Sequence, residues 1–452
     1  MTKNEIVRLR IDSLTNEGAG VGRYDGVVVF VPFSAVGDLL DVKIVKVGKS
    51  FCYGIIESIV APSPDRVTPD CPVFGKCGGC AFRHISYEAE LSAKEEIIRS
   101  AFIRIGGLDP EFFPIIPNDT PDGYRNKAQY PVGRAADGSV ISGFYAARSH
   151  RMIPCGSCKL ERSVFSDIRN VVTQYCRELK ISPYNEELHN GVLRHICIRR
   201  GQSSAEIGVV LVVRRNVPEL KKLAAMLMQR FPDIRGVTAS INRDVTNVIF
   251  GREDIPLAGS PDITDTMCGR RFVISPRSFY QVNTPMAERL YREAAKLAEP
   301  DGKTIIDLYC GIGTIGLSVA HRALRLIGVE IVPEAVENAR RNAELNGCAN
   351  AEFFCGDAGK VTTMLRERGI KADVVFVDPA RKGCTADTLD NIAAFSPERI
   401  VMISCNPATA ARDCRYLSEH GYRVVNVRGA DLFSRTIHVE TVVLLVRAGT
   451  GQ

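Results

Sequence analysis

The chain has 452 residues, enough for two to four domains with cores of their own, and 45% of its residues are apolar. Lys and Arg exceed Asp and Glu by 58 to 52, a net charge of +6 that permits a nucleic-acid partner without demanding one. The start MTKNEIVRLR has no apolar export segment, no apolar run approaches a bilayer span, and fifteen cysteines without an export signal favour metal, catalytic or buried thiols over a disulfide framework. The expectation is a soluble cytoplasmic protein with no membrane partner.

Residues 5–60 alternate apolar and polar positions in short runs. Val7, Leu9 and Ile11 point one way and Arg8 and Arg10 the other, followed by strands at 27–31, 42–47 and 53–60 with glycine turns between. Short strands at near-regular spacing predict a small OB-like barrel. Arg8, Arg10, Arg23, Lys43, Lys46 and Lys49 give it a basic outer face, which is either an RNA surface or an ordinary solvated one. The stretch GAGVGRYDGVVVFVPFSAVGD resembles a TRAM domain, an RNA-binding barrel.

APSPDRVTPD at 61–70 reads as a proline-rich linker. CPVFGKCGGC then sets thiols at Cys71, Cys77 and Cys80, and PCGSCKL adds Cys155 and Cys158. Four thiolates suit zinc or a [4Fe-4S] cluster, and spacing does not separate the two. The C-x3-C-x2-C spacing of radical enzymes is absent. Residues 88–105 have helical spacing and stop at Gly106-Gly107. YRNKAQYPVGR and GFYAARSHRM interleave aromatic and basic residues, which fits a single-strand clamp or simply half-buried strands. With RHICIRR, IGVVLVV and a helix over 218–231, residues 61–260 read as a mixed α+β domain.

Residues 270–452 alternate strands with helices of ten or more residues, predicting a parallel, doubly wound sheet. Gln281 and Asn283 precede its first glycine turn and either line the ligand pocket or cap the helix that starts near Thr284. TIIDLYCGIGTIGLSVAHRALRLIGVE, 304–330, is a strand, glycine turn, helix and strand closing on Glu330. Glycines there admit a nucleoside and an acid about 20 residues on can hold its ribose, so a dinucleotide, an adenosyl ligand or a plain tight turn all fit. Glu330, Asp357, Asp378 and Cys405 fall at strand carboxyl ends, where ligands of such sheets bind. Cys405, in ISCNP ahead of a helix, is expected to have a lowered thiol pKa or to be a buried structural cysteine. Glu440, in TIHVETVVLL among apolar residues, is either a base with a raised pKa or a capping acid.

FYQVN, DLYCGIGTIGL, GVE, GDA, DPAR, SCNP and HVETVVLL, in this order, resemble the S-adenosylmethionine-dependent RNA uracil-5-methyltransferases over essentially the whole chain, in the TRAM-bearing iron–sulfur subgroup typified by 23S rRNA enzymes. Ala380 and Ser434 stand where prolines are common in that family. The resemblance implies a C-terminal Rossmann-like class I methyltransferase sheet over 270–452, a TRAM barrel over 1–60 and a central α+β domain over 61–260 carrying a four-cysteine cluster. It further implies S-adenosylmethionine contacts by Gln281, Tyr309, Glu330 and Asp378, with Gly311, Thr314 and Asp357 lining the site. Cys405 becomes the nucleophile and Glu440 the base. Cys71, Cys77, Cys80 and Cys158 become [4Fe-4S] ligands, with Cys155 a bystander. The implied activity is 5-methyluridine formation in 23S rRNA by a cytoplasmic monomer, with tRNA as the alternative substrate. Rival readings are an RNA-binding ribosome-assembly factor and an NAD-dependent oxidoreductase.

Overall fold

The structure is a computed structural model and describes residues 1–135 and 138–449. The N-terminal segment is a closed five-stranded barrel in the spatial order Ile6–Leu14, Gly20–Tyr24, Val27–Val31, Phe51–Ala61, Leu39–Val47. Val7, Leu9 and Ile11 fill it while Arg8 and Arg10 face out. The strand Gly20–Tyr24 is one that its glycines hide from sequence patterning. A Cβ at Gly22 would lie 2.5 Å from the Arg10 carbonyl oxygen, so glycine is what lets the first two strands close up.

The central segment is a seven-stranded sheet running Glu253–Gly259, Ile234–Ile241, Ile207–Val213, Leu193–Arg200, Lys127–Arg134, Val140–Tyr145, Met152–Pro154. Helices Ser163–Glu178 and Glu219–Arg230 cover one face, their Phe165, Ile168, Leu220 and Leu223 meeting Ile196, Ile198 and Leu211. Tyr130 is fully buried, hydrogen-bonded to Glu161 and under the Arg169 guanidinium at 4.9 Å. In YRNKAQYPVGR, then, the half-buried-strand reading applies at Tyr130 and the clamp reading does not.

The C-terminal sheet has eight strands in the order Ala351–Cys355, Arg325–Glu330, Thr304–Leu308, Val374–Val377, Arg399–Ser404, Glu440–Arg447, Tyr422–Ala430, Glu111–Ile116. Helices cover both faces, with Leu290, Ala294 and Val336 in one apolar layer and Leu365, Leu389 and Leu417 in the other. Two features depart from a wholly parallel sheet drawn from 270–452. Glu440–Arg447 runs antiparallel to both neighbours, because the loop 431–439 returns the chain with no helical crossover. The far edge strand, Glu111–Ile116, comes from upstream of the central sheet and pairs in parallel with Tyr422–Ala430. Its preceding helix, Tyr87–Ser100, continues as a π-helical turn, Ala101–Gly106, that ends at Gly107 with φ 64°, so the glycine pair does stop the helix. Ile98 and Phe102 pack into the C-terminal core. Among the described residues no helix is long and apolar enough to cross a membrane.

Candidate active site

The glycine turn grows out of the strand Thr304–Leu308. Tyr309 and Gly311 have φ of 63° and 56°, and Gly313, with φ 85°, starts the helix Thr314–Val319. A tyrosine in the left-handed region stores strain, which structures tolerate mainly at functional sites. Gly316 donates its N–H to Asp307 Oδ2 at 2.8 Å, and a Cβ there would sit 2.8 Å from that same oxygen. Asp307 Oδ1 is buried with no hydrogen-bond partner. Burial, together with the charges of Asp378 and Glu330, raises the Asp307 carboxyl to about 7. Burial raises Asp378 to about 7 as well. Glu330 accepts from the Gly311 N–H at 3.1 Å and the Val332 N–H at 2.9 Å, which bends the chain around the strand end.

Among the described residues no cation bears on the carboxyls of Asp307 and Asp378. Two carboxyls titrating near neutrality and one orphaned oxygen suit a ligand carrying positive charge, whose approach would restore the charged forms. The sulfonium and ammonium of S-adenosylmethionine meet that requirement. The Tyr291 hydroxyl lies 3.5 Å from Thr314 Oγ1 and also meets the Gln281 side chain, so this phenol joins two residues that the family resemblance assigns to the ligand. Gln281 is buried, and its carbonyl accepts from Asn126 Nδ2 at 2.8 Å. Asn283 caps the helix Thr284–Ala298, accepting from the Met286 N–H. Asp357 caps Ala358–Glu367 and accepts from the Lys360 N–H, at the carboxyl end of the strand Ala351–Cys355.

The reversed strand sets the second half of the site. Ser404 pairs with Thr441 across the ladder, so Cys405, one residue beyond, and Glu440, one residue before, meet at the same sheet edge. In a parallel strand, the start of Glu440–Arg447 would lie at the opposite edge. Glu440 is only 3% exposed. Burial and the Asp378 charge push its carboxyl up to about 8, against the pull of Arg381.

The expected lowering of the Cys405 thiol is not what the structure gives. Burial, then the Glu440 charge, push the thiol upward, and Arg381 beside it offsets only part of this. The position ahead of the helix Pro407–Glu419 is as expected, but two neighbouring acids and a half-buried sulfur outweigh it. Arg381 Nη2 also lies 3.1 Å from His438 Nε2. Burial and Arg381 together hold His438 down to about 4, so its ring is neutral. The Arg381 carbonyl accepts from Asn406 Nδ2 at 3.0 Å, which ties the DPAR loop to SCNP. Ala380, in place of a second proline, is exposed, and the loop is held by that bond together with the Thr409 hydroxyl on the Arg381 carbonyl and the Gly383 N–H on the Ala380 carbonyl. Sequence reasoning missed Arg381, His438 and Tyr291. The first two lie inside the quoted DPAR and HVE motifs, so a search for charged or aromatic residues there would have found them.

The thiols also meet. Cys71, Cys77, Cys80, Cys155 and Cys158 line one cavity of about 130 Å³ together with Arg83, Arg125 and Glu161. Gly79 donates its N–H to Cys77 Sγ at 3.4 Å. Burial raises Cys77, Cys80 and Cys158, the Glu161 charge adds to it at Cys158 and Cys77, and neighbouring cysteines push all three the same way. Among the described residues no three His, Cys, Asp or Glu side chains converge closely enough to grip a single ion. Cys155 differs from the rest in donating to the Ser157 carbonyl at 2.8 Å.

A model of the tRNA (uracil-5-)-methyltransferase family matches residues 86–448, and a TRAM domain model matches residues 2–56. An uncharacterized RNA methyltransferase of Halalkalibacterium halodurans is 43% identical over 448 residues, 98% of each chain. One from Bacillus cereus is 41% identical over 448 residues, 98% of this chain and 97% of its own. The crystal structure of the Pyrococcus abyssi tRNA (uracil-54, C5)-methyltransferase in complex with S-adenosyl-L-homocysteine matches with a TM-score of 0.78 at 28% identity, covering 97% of this chain and all of that one.

Proposed function

The chain belongs to the tRNA (uracil-5-)-methyltransferase family and is an S-adenosylmethionine-dependent RNA methyltransferase, and from that premise we propose that it converts a specific uridine to 5-methyluridine through a covalent bond to Cys405. The observation that carries this reading is the meeting of Cys405 and Glu440 at one strand edge, with the Arg381 charge acting on both. Uracil C5 is a poor nucleophile until sulfur adds to C6. Cys405 loses its proton to solvent, Arg381 stabilises the thiolate that remains, and as the sulfur bonds to C6 the C5–C6 π electrons become an electron pair on C5. S-adenosylmethionine supplies an electrophilic methyl group when it is bound. Glu440 then takes the C5 proton, the electron pair re-forms the C5–C6 double bond, and the C6–S bond breaks to release Cys405. Gln281, Tyr309, Gly311, Thr314, Glu330, Asp357 and Asp378 would hold the methyl donor around the glycine turn, with the acids facing its positive charges.

A stacked base cannot reach a strand-end thiol, so the uridine leaves its stack. Phe279, 67% exposed and two residues before Gln281, offers it a new stacking partner. The barrel holds flanking RNA. Phe30, Phe51 and Tyr53 form a triangle of rings 5.5 to 5.6 Å apart, with Lys46 5.7 Å from the Tyr53 centroid. Aromatic faces beside cations suit unpaired bases.

The proposed RNA is 23S rRNA, modified by a cytoplasmic monomer. A second reading, tRNA, is favoured by the likeness to the Pyrococcus abyssi enzyme, whose fold match spans the barrel as well. RNA from cells with and without the gene, digested and mapped for 5-methyluridine, decides between them. One uridine of 23S rRNA is expected to lose its methyl. Loss confined to tRNA makes tRNA the substrate, and no loss anywhere contradicts the enzymatic reading.

The five-thiol cavity fits a [4Fe-4S] cluster held by Cys71, Cys77, Cys80 and Cys158. It is roomier than one ion needs, an N–H already points at a sulfur, and Arg83 and Arg125 face the negative charge that four thiolates would bring. Protein purified without oxygen is expected to carry about four irons per chain. Cys158→Ser should lose most of the iron and Cys155→Ser should keep it, as read by iron and sulfide analysis. Equal loss in both variants would move Cys155 into the ligand set.

A further inference from the structure

The loop 431–439, which delivers Glu440, is gripped from two sides. Arg435, a non-glycine residue at φ 67°, lies in the left-handed region, a conformation that persists only where its surroundings impose it. Its N–H donates to Glu90 Oε1 at 2.6 Å. Its carbonyl accepts the Ala81 N–H at 2.8 Å and the Phe82 N–H at 3.2 Å. Ala81 directly follows Cys80, which lines the five-thiol cavity. One residue back, the Ser434 carbonyl accepts from the Tyr124 hydroxyl at 3.0 Å, and Tyr124 adjoins Arg125, which lines the same cavity. Two residues onward, Ile437 packs on Ala81 and Phe82 beside Ala35 of the barrel segment.

The opposite side is a buried charge network. Lys94, wholly buried on the helix Tyr87–Ser100, donates to Glu90 at 2.7 Å, Asp431 Oδ1 at 2.6 Å and the Phe433 carbonyl at 3.2 Å. Ser434 completes it, donating to Asp431 Oδ2 at 2.6 Å and accepting from Asn118 Nδ2 at 2.9 Å. A hydroxyl where a proline is common thus trades a rigid ring for two bonds. A lysine and two acids buried together become costly when one partner is withdrawn, so the network resists displacement of Asp431 and Glu90. The network holds the loop at Asp431, Phe433 and Ser434, the amides after Cys80 hold it at the Arg435 carbonyl, and Glu90 Oε1 takes part in both by accepting from Lys94 and from the Arg435 N–H.

We propose that the turn after Cys80 and the Tyr124 hydroxyl are positioning groups for Glu440, so that the state of the five-thiol cavity governs removal of the C5 proton. This rests on the uridine-methylating reading and adds a purpose for the cysteines, which touch no reacting atom. The coupling is short. Arg435 stands five residues before Glu440, and the intervening Ile437 and His438 are both held, one by Phe82 and the other by Arg381. Sulfur addition and methyl transfer draw on Cys405 and the glycine turn, which the loop meets through Arg381 at His438 and Asn283 at the Leu432 carbonyl, whereas Glu440 is the loop's direct continuation, so loosening the strut bears most on the proton transfer. What slows is the last proton transfer, and a step that stalls after sulfur addition leaves RNA joined to protein.

The test uses full-length, cluster-containing protein with Ala81→Pro, which removes one donor to the Arg435 carbonyl, and Tyr124→Phe, which removes only a hydroxyl and keeps the fold filled. Turnover is expected to fall about 10- to 100-fold while KM for S-adenosylmethionine stays within about twofold, and denaturation-resistant RNA–protein adduct should build up during turnover. Hydrogen exchange over 431–439 should quicken in both variants, and equally in unaltered protein stripped of iron by oxidation and chelation. Iron loss that leaves exchange over 431–439 unchanged overturns the proposal. So does a Tyr124→Phe protein that turns over like the unaltered one, or loses turnover and methyl-donor affinity together without adduct. If the unaltered protein neither methylates RNA nor forms adduct, the uridine-methylating reading fails and takes the strut with it. If it methylates normally while the variants match it, only the strut fails.

Discussion

Cys405→Ala is expected to lower methylation by about 10⁴-fold or more while S-adenosylmethionine binding stays within about twofold. The loss is this large because the thiol acts chemically. Without the C6–S bond, C5 has no electron pair to give, and no other described side chain at the strand edge offers a comparable nucleophile. Arg381 and Glu440 hold charge but do not form a carbon bond, and Cys384, three residues after Arg381, is buried beside Asp413. The binding side should survive because the glycine turn and its acids belong to other strands. Turnover assayed with tritiated methyl donor, alongside calorimetric titration of the donor, separates the two effects. A matched fall in both would mean that residue 405 shapes the pocket and nothing more.

Glu440→Gln is expected to cut turnover by about 10²- to 10⁴-fold, the usual contribution of a positioned general base. It should do so by trapping RNA on the protein, since addition and methyl transfer precede the step it serves. The amide keeps the shape of the carboxyl and removes both its proton affinity and its charge. The pH response follows from the raised pKa. Glu440 works deprotonated and titrates near 8, so adduct breakdown in the unaltered protein should quicken as pH rises towards about 8 and level off above it. Below that range most of the carboxyl already carries a proton and cannot take another. The variant's residual breakdown should lack this limb. At neutral pH most of the Glu440 carboxyl is already uncharged, so its replacement by an amide changes little around the Cys405 thiol and adduct formation should be no slower than in the unaltered protein.

Much of the architecture was legible because it is local. The barrel's alternation of Val7, Leu9 and Ile11, the glycine turn after Asp307, and acids at strand ends all follow from residue types within a few positions of one another. What sequence hid was set by distant pairing. Glu111–Ile116 lies next to Tyr422–Ala430 only in space, and Lys94 meets Asp431 across 337 residues. The direction of the strand after loop 431–439 was equally hidden, since periodicity carries no sign, yet that direction brings Glu440 to Cys405. The thiol's pKa went the wrong way for a related reason. Proximity to a helix start can be read from ISCNP, but Glu440 and Asp378 come from strands that sequence does not show to be neighbours. Tyr130 shows the limit of composition, for an aromatic among basic residues turned out to be core.

Mapping the site of attachment tests the central claim most directly. Unaltered protein is incubated with S-adenosylmethionine and a 5-fluorouridine form of its RNA, whose C5 fluorine cannot leave as a proton does, then digested and sequenced by mass spectrometry. The expected result is a nucleotide carried by the peptide around ISCNP, bonded at Cys405 and already methylated. A nucleotide found on another residue, or full turnover with no attachment in the unaltered protein, would contradict the account.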